Sequence, residues 1–275
     1  MIQRYDFAPL DGITKVVFRQ VYHRLFGGAD RYFIPFFSPT DQHILTKRDQ
    51  RELDPTANAG LHVVPQVMTR RAPDFLWAAE VVADMGYTEV NLNLGCPSGT
   101  VTAKGKGSGF LARPEELERF FDEVFASVKL PVSVKTRLGV KEPEEFERLL
   151  EIYNRYPIAC LTIHPRIQKQ FYKGTVHRDW FAWAAERSRN PLCYNGDLVT
   201  VEDCGAFAAD FPAVDAVMIG RGAIADPALL RKLHGGTPAT RQEIQDFTRT
   251  LYQSYQDFYG QAGPAAQRMK EVWFF

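Results

Sequence analysis

Several short stretches of this chain carry side chains suited to chemistry. Asn93 and Cys96 bracket Leu94-Gly95, Lys135 and Arg137 share one alternating run, and His164 and Arg166 share another. Gln66 sits in an apolar run, while Asn195-Gly196-Asp197 and Gly220-Arg221-Gly222 set glycines beside charged groups. Donors and cations dominate this set, and Asp197 is its one carboxylate. No pair of acids for glycoside hydrolysis is present, and no carboxylate cluster for magnesium. The set suits an anionic, electron-accepting ligand, with the glycine turns offering backbone N–H groups to a phosphate. A thiol of ordinary pKa, about 8.5, is mostly protonated at pH 7 and can give up a proton. Taken alone, Cys96 is equally a spare buried cysteine at a strand end.

These groups need elements that bring them together. Val90, Leu92 and Leu94 alternate with Asn91 and Asn93, which is strand periodicity, and Gly95 and Pro97 then stop the run. Further strands are expected at Tyr5–Leu10, Arg31–Phe37, Leu61–Met68, Val132–Thr136, Ala159–His164, Leu192–Asn195 and Val214–Ile219. Helices lie between most of them: one capped by Thr14 and running to about Leu25, one from Ala72 to Met85, one opening at Pro114, one from Glu144 to Arg155 and one capped by Thr200. Eight strands, most followed by a helix, predict an α/β protein with a (β/α)8 TIM barrel over residues 1–235. An open doubly wound sheet is less favoured because no G-x-G-x-x-G opens a first helix. In a barrel all strand C-termini face one mouth, which would gather Pro9, Leu10, Gln66, Asn93, Cys96, Lys135, Arg137, His164, Arg166 and the two glycine turns.

After Gly235-Gly236 the pattern turns helical. Residues 236–275 are expected to form a C-terminal helical appendage: one helix over Arg241–Tyr259, a break at Gly263-Pro264 and a further helix from Ala265. The chain stops on Trp273-Phe274-Phe275, so this appendage is expected to be incomplete here or to pack back on the barrel. Lys plus Arg equals Asp plus Glu at 33 each, so a polyanion would have to be held by a local patch. The four cysteines form no C-x-x-C pair, and no signal peptide or apolar run of membrane-spanning length occurs. A cytoplasmic protein without a zinc site, disulfides or a membrane span is expected.

Six motifs occurring in order resemble the dihydrouridine synthases, flavin-dependent enzymes that reduce uridine in RNA, usually tRNA. They are Ala8-Pro9-Leu10-Asp11-Gly12-Ile13-Thr14, Asn93-Leu94-Gly95-Cys96-Pro97-Ser98, Val134-Lys135-Thr136-Arg137, Ile163-His164-Pro165-Arg166, Asn195-Gly196-Asp197 and Gly220-Arg221-Gly222. The resemblance implies FMN at the barrel mouth. Pro9 and Leu10 would lie against the flavin, with Gln66, Lys135 and His164 on the ring and ribityl chain. Asn195, Gly196, Asp197, Gly220 and Arg221 would lie along the ribityl and phosphate end. It further implies that Cys96 protonates C5 opposite a hydride delivered to C6, and that Asn93 and Arg137 hold the uracil.

RNA phosphates would rest on Lys104 and Lys106, in a mobile-looking loop with Gly105, Gly107 and Gly109 as hinges, and on Arg166, Lys169, Lys173 and Arg178. NADPH is the expected transient electron donor, and the chain is expected to act as a monomer. Many members carry His-Gly-Arg where this chain has His164-Pro165-Arg166, and the family's helical domain normally continues further. Two other readings share some features: a small-molecule FMN reductase of the dihydroorotate dehydrogenase type, and an RNA-binding module that has lost its chemistry.

Overall fold

The computed structural model describes residues 2–274, so Met1 and Phe275, the outer ends of the two expected spans, lie outside the described residues. Nine strands form one parallel sheet: β1 (Arg4–Phe7), β2 (Arg31–Phe33), β3 (Val63–Val64), β4 (Gln66–Val67), β5 (Val90–Leu94), β6 (Val132–Gly139), β7 (Leu161–Ile167), β8 (Leu192–Tyr194) and β9 (Ala216–Ile219). Their order is β3-β2-β1-β9-β8-β7-β6-β5-β4. The two ends of that series are consecutive in the chain, separated only by Pro65. The expected third strand is therefore present but cut by a proline, which has no N–H to give the ladder. Its first half pairs with β2, its second half with β5, and the barrel closes through it.

Strand alternation sorts the side chains into two layers. Phe7, Tyr32, Val90, Leu92, Leu94, Val132, Val134 and Ile163 join the large core beneath the helices. Ala8, Phe33, Val64, Cys160, Cys193, Ala216 and Met218 form a small separate cluster on the other face. The strand positions alternating with the large core are mostly polar, with Asp6, Arg31, Asn91, Asn93, Ser133 and Thr162 all buried. Parallel strands usually read as continuous apolar runs. Here the polar half of the alternation is the barrel interior, a feature that places chemistry inside it.

The helices are α1 (Val16–Leu25), α2 (Lys47–Leu53), α3 (Ala72–Asp84), α4 (Gly99–Thr102), α5 (Pro114–Ser127), α6 (Glu145–Tyr153), α7 (Arg178–Arg187), α8 (Val201–Asp210), α9 (Arg221–Ala225), α10 (Leu229–Leu233), α11 (Arg241–Tyr259) and α12 (Ala262–Trp273). Thr200 caps α8 through a reciprocal box with Asp203, as expected. Thr14 does not cap α1: Lys15 is the N-cap, and Thr14 Oγ1 accepts from Leu10 N at 2.8 Å, fixing the β1 exit instead. α2 was not foreseen, although Thr46 and Asp49 form a capping box. Gly263-Pro264 does not break the last two helices apart. The break is Gly260, left-handed at φ 67°, and Pro264 sits in the first turn of α12, where a missing N–H costs nothing.

α11 and α12 pack on the barrel's N-terminal units. Phe247 meets Phe18, Tyr22 and Phe26 through edge or T-shaped ring contacts. Arg268 donates to Gly12 O at 3.2 Å, joining α12 to the loop after β1. Among the described residues, no helix is long and apolar enough to cross a membrane.

Candidate active site

The C-terminal ends of the strands surround a cavity of about 660 Å³, well within the roughly 300–1,000 Å³ of small-molecule sites. It is lined by Pro9, Leu10, Gln66, Asn93, Cys96, Lys135, Arg137, His164, Asn195, Gly196, Asp197, Gly220 and Arg221, so thirteen residues expected at the mouth do meet there. Three expected site residues do not line it: Lys104, Lys106 and Arg166.

Cys96 sits at the rim, half-buried, on a loop held from both sides. Asn93 Oδ1 accepts from the N–H of Gly95 at 3.1 Å and of Cys96 at 2.9 Å. From the other side, Ser108 donates to Cys96 O through both its N–H (3.1 Å) and its hydroxyl (2.9 Å). Burial pushes the thiol above its ordinary value, so it keeps its proton at neutral pH. Asn93 therefore has only part of its amide left for a ligand. Its oxygen is spent on the cysteine loop and one amide hydrogen on Gln66 Oε1 at 2.7 Å, which leaves one N–H for a ligand.

Of Gly105, Gly107 and Gly109, expected as hinges of a mobile loop, Gly105 lies between α4 and a 3-10 helix over Gly107–Ala112, and the other two lie within that helix. A Cβ on Gly107 would meet Cys96 O at 2.8 Å and Cys96 Cβ at 3.1 Å, and its φ is +55°. Gly107 thus allows the following segment to press directly on the cysteine. Gly107→Ala is expected to cost about 1–2 kcal/mol of backbone strain alone and to displace Cys96. A lower melting temperature together with altered Cys96 alkylation checks this; an unchanged pair of values would contradict it.

Two cations in the cavity wall lack counter-ions. Lys135 makes no ion pair or hydrogen bond among the described residues, and burial, then the charge of Arg137, lowers its pKa to about 8. Arg137 is nearly inaccessible and faces no carboxylate among the described residues: it donates to Gly95 O at 2.8 Å and Ile167 O at 3.1 Å and lies over the Tyr172 ring. Burial lowers it too, to about 10. Uncompensated buried cations are costly unless a ligand supplies the partner.

His164 is pushed well below its ordinary pKa by burial and by Arg137, Lys135 and Arg166, so it is neutral. Its Nε2 lies 3.2 Å from Arg166 Nη1, and a guanidinium can only donate. Nε2 is therefore the acceptor, and Nδ1 carries the proton as a neutral donor.

Arg166, expected to meet RNA, is buried behind the rim instead. It binds both oxygens of Asp197 (2.9 and 2.5 Å) and the carbonyls of Lys173 and Gly174, bracing the loop after β7 against the loop after β8. Asp197 also takes Arg221 at 2.7 Å. Burial raises its pKa, but Arg166 and Arg221 outweigh that and hold it below its ordinary value. Its carboxylate is thus committed to two guanidiniums, and it lines the cavity together with Arg221. Lys104 is exposed and Lys106 half-buried, with Gly105 between them lying against Arg70 and Arg113. They form a basic surface beside the cavity.

Sequence reasoning missed Phe171 and Tyr172, which line the cavity from the loop after β7. Tyr172 lies under both Arg137 (5.5 Å) and Arg221 (5.1 Å) in cation–π geometry. The signal was available: an aromatic pair flanked by Lys169 and Lys173 suits stacking on a flat ligand. Taken together, the cavity offers N–H donors, two unpaired cations, a neutral imidazole and a protonated thiol. That chemistry fits a flat ring with acceptor atoms on its edge and an anionic tail near Arg221.

Comparison with known proteins gives a consistent picture. A family model described as dihydrouridine synthase (Dus) matches residues 6–272. A probable tRNA-dihydrouridine synthase 1 of Synechocystis sp. is 33% identical over 230 residues, which cover 82% of this chain and 63% of that protein. The chain thus spans a little under two thirds of that relative's length. A tRNA-dihydrouridine(16) synthase of Ralstonia nicotianae is 31% identical over 241 residues, covering 85% of this chain and 73% of that protein. Among solved structures, morphinone reductase superposes with a TM-score of 0.58 at 15% identity, covering 86% of this chain and 87% of that chain. A variant of NCR from Zymomonas mobilis gives 0.60 at 18% identity, covering 89% and 90%. At such identities these two speak for the barrel alone.

Proposed function

This chain belongs to the dihydrouridine synthase family, and from that premise we propose that it reduces the C5–C6 bond of uridine in RNA, most directly tRNA, to 5,6-dihydrouridine, with FMN as cofactor and NADPH as electron donor. The observation that carries the reading is one cavity holding an unpaired Lys135 and a protonated Cys96. Lys135, neutral His164 and Gln66 would hold the flavin ring; Asn195, Gly196, Gly220 and Arg221 would hold its ribityl and phosphate end. The chemistry such a flavin would supply, once reduced, is a hydride for C6.

The remaining work belongs to the chain. Cys96 Sγ gives its proton to C5, and the raised thiol pKa keeps that proton available at neutral pH. The Asn93 and Ser108 bonds hold the thiol's loop in place. Arg137 and the spare Asn93 N–H would bind uracil carbonyls, and Tyr172 would wall the base in. The base has to leave its stack to reach this depth, as base-modifying enzymes require. Lys104, Lys106 and their neighbours Arg70 and Arg113 would meet phosphates around the mouth. The barrel (1–235) and helical (236–275) spans are proposed as catalytic and RNA-gripping parts.

The purified protein is expected to show flavin absorbance, and NADPH is expected to bleach it. A colourless protein that cannot be reconstituted with FMN, yet binds tRNA, would instead indicate a binding module without chemistry.

A further inference from the structure

The barrel interior holds a run of hydrogen bonds whose direction is fixed along its length. Arg31 only donates, so the Glu89 oxygen 2.9 Å from it accepts. The second Glu89 oxygen accepts the Ser133 hydroxyl at 2.5 Å. With its proton spent there, Ser133 Oγ accepts from Asn91 Nδ2 at 2.8 Å. Asn91 must therefore turn Oδ1 to Gln66 Nε2 (2.7 Å), and Gln66 must turn Oε1 to Asn93 Nδ2 (2.7 Å). Asn93 is left with Oδ1 for the N–H groups of Gly95 and Cys96. Both ends have unambiguous polarity, a carboxylate at one and backbone N–H at the other. Gln66, Asn91, Asn93 and Ser133 are all buried, where such bonds are strong and costly to break.

We infer that Glu89 and Ser133, neither of which lines the cavity, are positioning residues that set the orientation of the Cys96 loop and make Gln66 and Asn93 present donors to the ligand. Arg31 is itself anchored on Asp6 at 2.7 Å, so the polarity is referenced to a fixed ion pair between facing positions of β1 and β2. The consequence is that the part of the wall made by Gln66, Asn93, Lys135, His164 and Arg137 offers N–H groups to a ligand. It selects rings with acceptors on their edges. The catalytic importance of this rests on the role proposed for Cys96; the orientation of the loop does not.

Glu89→Gln makes the test sharp because it preserves shape and reverses polarity. Arg31 would draw the Gln oxygen, so the new amide would donate to Ser133. Ser133 would then either accept from both amides, stranding its own proton, or donate to Asn91 and flip each amide in turn until Asn93 Nδ2 faced two backbone N–H donors; either way the run loses a bond. Ser133→Ala removes the relay, so the reversal cannot pass beyond it. Three variants, Glu89→Gln, Ser133→Ala and the double variant, are compared by amide hydrogen exchange over residues 93–98 and by iodoacetamide labelling of Cys96, both read by peptide mass spectrometry.

Glu89→Gln is expected to speed both by about threefold or more, the scale of coupling within one network. Ser133→Ala should change them less, and the double variant should match Ser133→Ala. Peptides from β7 and β8 should be unaffected throughout, and Ser133→Thr, which restores the hydroxyl, should behave as the unmodified protein. Additive effects in the double variant, unchanged labelling in Glu89→Gln, or loss of protection across the barrel would each overturn the inference. Neither readout uses RNA, so an absence of uridine reduction would count against the proposed function and not against this.

Discussion

Cys96→Ala is expected to keep bound flavin and its bleaching by NADPH while uridine reduction falls by about 10²- to 10⁴-fold, the usual worth of a placed general acid. The separation follows from the geometry. Cys96 lies at the rim, on the loop after β5, while the groups suited to hold a flavin come from β4, β6, β7 and the turns after β8 and β9. Removing Sγ takes away a proton and one side-chain contact, and leaves the backbone bonds from Asn93 and Ser108 in place. Stopped-flow flavin reduction and nucleoside analysis on the same preparation check both halves. Full RNA activity in the variant would return Cys96 to a packing role, and loss of flavin would place it on the cofactor.

Lys135→Met is expected to act in opposite directions on stability and on flavin binding. The Lys135 pKa is lowered to about 8 in the folded chain, against about 10.4 for an unfolded one. The unfolded chain then binds more protons between these values, so flavin-free stability should rise with pH from about 8 to about 10.4. Below pH 8 the full cost of a half-buried, unpaired ammonium is present, at most about 3 kcal/mol. Met removes the charge at similar volume, so the flavin-free variant should melt higher at pH 7 and lose that pH slope. Its flavin affinity should fall by about 10- to 150-fold, as for one lost charge-assisted hydrogen bond. Thermal melts across pH with flavin titrations test this. A variant that melts lower and binds flavin unchanged would mean that Lys135 serves the fold.

Much of this was legible in the chain itself because strand periodicity and polarity coincide here. Val90, Leu92 and Leu94 against Asn91 and Asn93 is both a strand signal and a map of which side faces the barrel interior. The same logic carried Lys135, Arg137 and His164 to the cavity. Where one side chain had two possible partners, sequence gave no way to choose. Arg166 reads as a free cation until the fold brings Asp197 to it across two strands. Asn93 reads as a ligand-facing amide until the turn at Gly95 puts two backbone N–H groups on its oxygen. Thr14 has the composition of a helix cap, yet the tight exit from β1 placed Leu10 N closer. Pro65 marks an interruption that periodicity alone reads through, since the side chains keep their alternation across it. The contact of Tyr172 with two arginines on other elements is visible only in the fold.

The most direct test uses the purified protein loaded with FMN, NADPH and an unmodified tRNA transcript, followed by mass spectrometry of the digested nucleosides. Uridine in the transcript is expected to gain two hydrogens, to do so only with NADPH present, and to stay unreduced with Cys96→Ala. Rapid reduction of a free pyrimidine with no change in the transcript would contradict the RNA reading and favour a small-molecule reductase.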